Sequence, residues 1–171
     1  TEGFGYVAHP VHFDVLRWAW KNYSLPFTGL EVWNSIGKSW ERERDSAIQK
    51  WIEQLALGRK IFISAGSDAH GDFNTTLGKV RTACFASNFT KDNIFNALKN
   101  GNCMMTDGPL VVFTANKHII GASFNVSEGD TVALNISWNS TDEFGNVTII
   151  KVIRGEINGG ETDELIRMPN N

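Results

Sequence analysis

Apolar residues are spaced in two different ways along this chain, and the spacing changes near residue 110. Before that point, strand-like runs alternate with helix-like ones. Residues 5–9 read as a strand, 11–21 as a short helix and 29–33 as a second strand. The clearest helix is 41–57, where Ile48, Trp51, Ile52 and Leu55 recur at helical spacing. Glu41 and Glu43 suit the positive end of its dipole, and Gly58 can close it. Residues 60–65 form a third strand, apolar on both faces as in a parallel sheet covered by helices. Residues 80–86 predict a fourth. Thr90 can cap a helix carrying Ile94, Phe95, Ala97 and Leu98, which ends at Gly101. Residues 103–106 predict a fifth strand. Repeated strand–helix–strand units point to an α/β fold, layered or barrel-like.

After Asp107-Gly108-Pro109 the helical spacing stops. Residues 111–115, 131–138 and 147–154 are β-branched and alternating, with turns at Glu128-Gly129-Asp130 and Phe144-Gly145-Asn146. The run from Val132 to Trp138 alternates with period two, which gives a strand one buried face. A turn is expected near Glu164. The pattern divides the chain into residues 1–109, of α/β type, and a small antiparallel β unit over 110–171.

Composition narrows the function classes. With 171 residues the chain has room for one core, or one core and a small appendage. Hydrophobic residues make up 42%, too many for a disordered chain. The net charge of −3, without a basic cluster, argues against a nucleic-acid-binding module. The apolar runs are too short to cross a bilayer. Six tryptophans suit core and pocket walls. Thr1-Glu2-Gly3-Phe4-Gly5 leads directly into an apolar strand, an opening that reads as a cut within a larger protein.

Two features bear on compartment. Asn-x-Ser/Thr sequons begin at Asn22, Asn74, Asn88, Asn125, Asn135, Asn139 and Asn146, a density suggesting an extracytoplasmic or cell-surface origin. The alternative is an Asn- and Ser/Thr-rich surface. Cys84 and Cys103 are too isolated for a zinc knuckle and read as buried free thiols in strands, although an oxidising compartment would let them pair.

The candidate chemistry lies beyond strand ends, where α/β sheets and barrels gather functional groups. His9 closes the first strand before Pro10; Asp68 and His70 follow the third in Gly66-Ser67-Asp68-Ala69-His70-Gly71. A carboxylate with imidazoles suits zinc, manganese or iron. Gly66 and Gly71 let the backbone bend so that Asp68 and His70 face one side. Against this, Asp68 can serve as an Asx turn with His70 in solvent. His12 reads as a surface or helix-start residue and His118 as structural.

Val7-Ala8-His9-Pro10, Gly29-Leu30-Glu31-Val32-Trp33-Asn34, Gly66-Ser67-Asp68-Ala69-His70, Ala97-Leu98-Lys99-Asn100-Gly101 and Thr106-Asp107-Gly108-Pro109 occur in that order. This succession, over residues 5–115, resembles the C-terminal half of PHP-domain metallohydrolases, especially the branch containing the CehA/McbA hydrolases. The resemblance implies a distorted (β/α) barrel and divalent metal ions held partly by His9, Asp68 and His70. It places Glu31 and Asn34 beside the site, supporting ligands or touching substrate, and gives Asp107 the shaping of a turn. The first His-x-His motif of such proteins is absent from these residues. The implied chain is therefore a fragment of a phosphoester, carboxylic ester or carbamic ester hydrolase, lacking early ligands and inactive alone if they are essential. Lys79 and Arg81 are near enough in sequence to be candidates for meeting a phosphate. The competing reading is a non-enzymatic carbohydrate- or surface-binding module, which the sequons, tryptophans and β-rich tail would serve.

Overall fold

The computed structural model describes residues 3–11, 23, 25–71, 73–159 and 161–167, the last segment as backbone only. The expected helix over 11–21, His12 included, lies outside the described residues apart from Val11. A parallel sheet is built from β1 (Tyr6–Val7), β2 (Gly29–Asn34) and β3 (Phe62–Gly66), in that order across the sheet. Tyr6 pairs with Gly29, and Leu30 with Ile63, before a bulge between Glu31 and Trp33 shifts the β2–β3 register. The strand over 5–9 is thus shorter than its sequence pattern suggests.

Helix α1 (Lys38–Ala56) connects β2 to β3 and packs on β2. It starts three residues before the expected boundary at residue 41, directly after Gly37 at φ 106°. At its other end Gly58, at φ 78°, donates its N–H to Leu55 O at 2.8 Å. Leu30 and Val32 of β2 meet Val7, Ala47 and Ile61 in a buried cluster flanked by Ile48, Trp51 and Ile63. Burying one such aliphatic side chain contributes about 1.5–3 kcal/mol. One tryptophan, Trp51, packs at its margin. Trp51 is half-buried and spends its indole N–H on Ile61 O at 3.0 Å, while Trp138 is exposed.

A single-turn helix, α2 (Phe73–Thr76), precedes β4 (Arg81–Cys84), α3 (Lys91–Asn100) and β5 (Cys103–Thr106). Thr90 caps α3 by accepting the Asn93 N–H, as its sequence position predicts. Gly101, at φ 70°, ends it with Asn102 N–H bonded to Ala97 O and its own N–H to Leu98 O. That paired closure leaves the cap residue left-handed, and a Cβ on Gly101 would lie 2.0 Å from the Phe62 ring. Both requirements select glycine.

The strands flanking α3 do not extend the parallel sheet. β4 and β5 form an antiparallel pair of their own, with Arg81 opposite Thr106 and Cys84 opposite Cys103. The join to β3 is made by Thr82, whose hydroxyl accepts the Ala65 N–H at 2.8 Å and donates to Ala65 O at 2.9 Å. A side chain occupies the place where a backbone ladder would have continued. The protein is a mixed α/β structure, and no closed barrel forms among the described residues.

The remaining strands are antiparallel. β6 (Leu110–Ala115) lies between β7 (His118–Ile119) and β8 (Leu134–Asn139), while β9 (Ile149–Gly155) pairs with β10 (Glu161–Arg167). Asn116 and Lys117, both at positive φ, make the two-residue turn from β6 to β7. The turn expected near Glu164 is instead mid-strand, with Glu164 opposite Val152. Here ladder pairing overrides the charged sequence. These strands touch the α/β part where Asn102 Nδ2 donates to Ile120 O, where Asn158 N–H donates to Ala56 O, and where the Phe144 ring lies over Gly108.

Candidate metal centre

Because β1, β2 and β3 are parallel, their C-terminal ends share one edge, and the predicted site residues gather there. His9 follows β1, Glu31 and Asn34 belong to β2, and Asp68 and His70 follow β3. Glu31 links the flanking strands. One oxygen, Oε2, accepts the backbone N–H of His9 at 3.0 Å. The other faces Gly66, where an added Cβ would approach Oε1 to 3.0 Å. Asn34 is opposite Gly66, and its buried Nδ2 has no hydrogen-bond partner among the described residues. His9, Glu31 and Asn34 line a narrow crevice floored by Val32 and Ala47.

The backbone here is unusual. His9 sits at φ 29° and Asp68 at φ 45°. A positive φ brings a β-carbon towards carbonyl oxygens, so non-glycine residues adopt it rarely, and such strain gathers at functional sites. Asp68 and His70 turn to each other, with His70 Nε2 2.8 Å from Asp68 Oδ1. The His70 side chain is 83% exposed and that of Asp68 36%.

Electrostatically, Glu31 is the distinctive group. Burial pushes its carboxyl above the ordinary carboxylate range; the His9 N–H and imidazole oppose the rise, and nearby Asp68 adds to it. A carboxyl whose pKa is raised, set between an imidazole and a second carboxylate, suits proton or cation exchange.

As donor types, His9, Asp68, His70 and Glu31 fit a divalent transition metal. Their placement fits less well. Among the described residues, no three His, Cys, Asp or Glu side chains group closely enough to hold one ion. The fold thus brings His9 to Glu31, Glu31 towards Asp68, and Asp68 to His70, without enclosing a coordination sphere.

Other expected contributors have different roles. Arg81 directs its guanidinium to Gly78 O at 2.7 Å and Gly108 O at 3.4 Å, bracing two turns rather than presenting a phosphate clamp. Asp107 is exposed, and the Thr106–Pro109 turn is organised by Thr106. The buried Thr106 hydroxyl donates to Pro109 O at 2.6 Å and accepts the Gly108 N–H at 2.9 Å. Sequence reading passed over Thr106, although a threonine two residues before glycine in a Pro-containing turn is a usable signal. His118 stacks on Phe124 with ring centroids 4.6 Å apart, a structural role.

No family profile, no curated protein and no solved structure matches this chain.

Proposed function

We propose that the described α/β region is part of a metal-dependent hydrolase of the PHP type, its open parallel sheet being a portion of that barrel. The proposed metal ligands are His9, Asp68 and His70, and Glu31 and Asn34 support the site. The proposed substrate is a phosphoester or a carboxylic or carbamic ester. One observation carries the reading. His9 and Asp68 are held at positive φ beyond the ends of β1 and β3, on either side of the part-buried Glu31 carboxyl of β2, whose pKa burial raises. A packed core requires none of these three features. A bound divalent ion such as zinc, manganese or iron would supply an acidified water for hydrolysis. Glu31 would fix the His9 backbone, and water or further donors must complete the coordination.

The test is metal retention. The chain is equilibrated separately with Zn²⁺, Mn²⁺ and Fe²⁺, dialysed, and assayed for metal by plasma emission. Retention of one of these ions, with affinity reduced about tenfold or more in both His9→Ala and Asp68→Ala, is the expected result. Absence of retention, or retention unaffected by both substitutions, overturns the reading. That negative outcome would favour a carbohydrate- or surface-binding module, for which the exposed Trp138 on β8 supplies the platform. Quenching of tryptophan fluorescence by oligosaccharide, lost in Trp138→Ala, would then identify it.

A further inference from the structure

Cys84 and Cys103 stand directly opposite each other on antiparallel β4 and β5. The adjoining pair, Phe85 and Asn102, is joined by Phe85 N–H donating to Asn102 O at 2.8 Å. Hydrogen-bonded and non-hydrogen-bonded pairs alternate along an antiparallel ladder, so the cysteines occupy a non-hydrogen-bonded position. Side chains approach most closely there, with Cα atoms about 4.5 Å apart, within the span a disulfide bridges. The two sulfurs are 3.0 Å apart, and Cys103 donates its S–H to Cys84. Cys103 is buried and Cys84 is half-buried, so the pair opens to solvent on the Cys84 side.

A second observation points to an oxidising setting. Six of the seven sequon asparagines belong to the described residues, and all six (Asn74, Asn88, Asn125, Asn135, Asn139 and Asn146) are exposed. Sequons have consequences only where glycosylation takes place, outside the reducing cytosol.

We infer that Cys84 and Cys103 are a disulfide-forming pair that clamps α3 onto the β4–β5 ladder in an oxidising compartment. The oxidant is a small-molecule disulfide of the glutathione class. The Cys84 thiolate attacks one of its sulfurs, forming a mixed disulfide and expelling one thiolate. The Cys103 thiolate then attacks Cys84 Sγ, forming the intrachain bond and expelling the second thiolate. Two protein thiols lose their protons, and one external disulfide becomes two thiols. The clamp reaches the candidate site through Tyr6, whose hydroxyl donates to Leu98 O of α3 at 2.8 Å while its strand leads to His9. The inference does not depend on the hydrolase reading.

The experiment treats the reduced full chain with oxidised glutathione, then measures intact mass and counts thiols after denaturation. Expected is a monomer lighter by two hydrogens, without a glutathione adduct and with no titratable thiol. Its thermal midpoint should lie about 10 °C above that of the reduced chain. Cys103→Ser should accumulate a glutathione adduct on Cys84, whereas Cys84→Ser should react roughly tenfold more slowly at the buried Cys103. Two persistent thiols, a stable mixed adduct in the unsubstituted chain, or only intermolecular dimers would overturn the inference.

Discussion

The two parts of this molecule use apolar residues in opposite ways. Among the described residues between Val7 and Cys103, eight hydrophobic side chains are buried, five of them in the cluster where α1 covers β1, β2 and the approach to β3. Of residues 111–159, none is buried. Leu110, Leu134, Trp138, Ile149 and Ile153 lie on strands and remain between 38% and 60% exposed. Pairing satisfies the backbone in both parts, but among the described residues only the first has a second layer against its sheet. A period-two pattern specifies which face of a strand is apolar; burying that face requires another layer.

Substitutions that probe this contrast should separate widely. Leu30→Ala, at a fully buried position, should cost about 2–5 kcal/mol in urea unfolding. Leu134→Ala, on β8, should change stability by less than about 0.5 kcal/mol. Equal losses would mean that β8 is covered as fully as β2, ending the distinction. A smaller effect is expected at the join between the parts. Thr106→Val removes the hydroxyl that bonds both Gly108 and Pro109, beneath the Phe144 contact. It should cost about 1–3 kcal/mol, since part-buried backbone groups lose a partner. No change in the urea midpoint would show that the turn holds without Thr106.

The smallest effect concerns the polar edge of the α/β part. Burial raises the Glu31 carboxyl above its unfolded value, so the folded chain binds that proton more tightly than the unfolded chain does. The resulting stabilisation is complete below the ordinary carboxylate pKa and is lost as pH rises through the raised one. In chelator-treated protein, Glu31→Gln should therefore raise the urea midpoint slightly near neutral pH. The difference should vanish towards about pH 4. A variant less stable than the parent at neutral pH, or a difference independent of pH, would contradict a burial-raised carboxyl.

Much of the local structure was legible in the chain. Thr90 and Gly101 mark the limits of α3 because each satisfies terminal backbone groups or adopts a left-handed conformation by local chemistry. The apolar spacing of Ile48, Trp51, Ile52 and Leu55 reveals the body of α1, although its first turns lie ahead of that run and carry no such signal. Strand β5 is read correctly from 103–106, but its antiparallel pairing with β4 has no local signature. An intervening helix suggests a parallel crossover, and the structure makes an antiparallel pair with Thr82 closing the join. Strand β10 was hidden by its charges, which say little about a partner β9 supplies from a hairpin away.

The candidate site divides in the same manner. By itself, the sequence determined that His9, Asp68 and His70 follow strands, because strand ends and the residues that punctuate them are local features. It also placed Cys84 and Cys103 on successive strands. Only the tertiary structure decided that parallel pairing would bring His9 to Glu31 and that the two sulfurs would face each other. Those outcomes depend on strand register and burial, which arise from contacts between residues far apart in the chain.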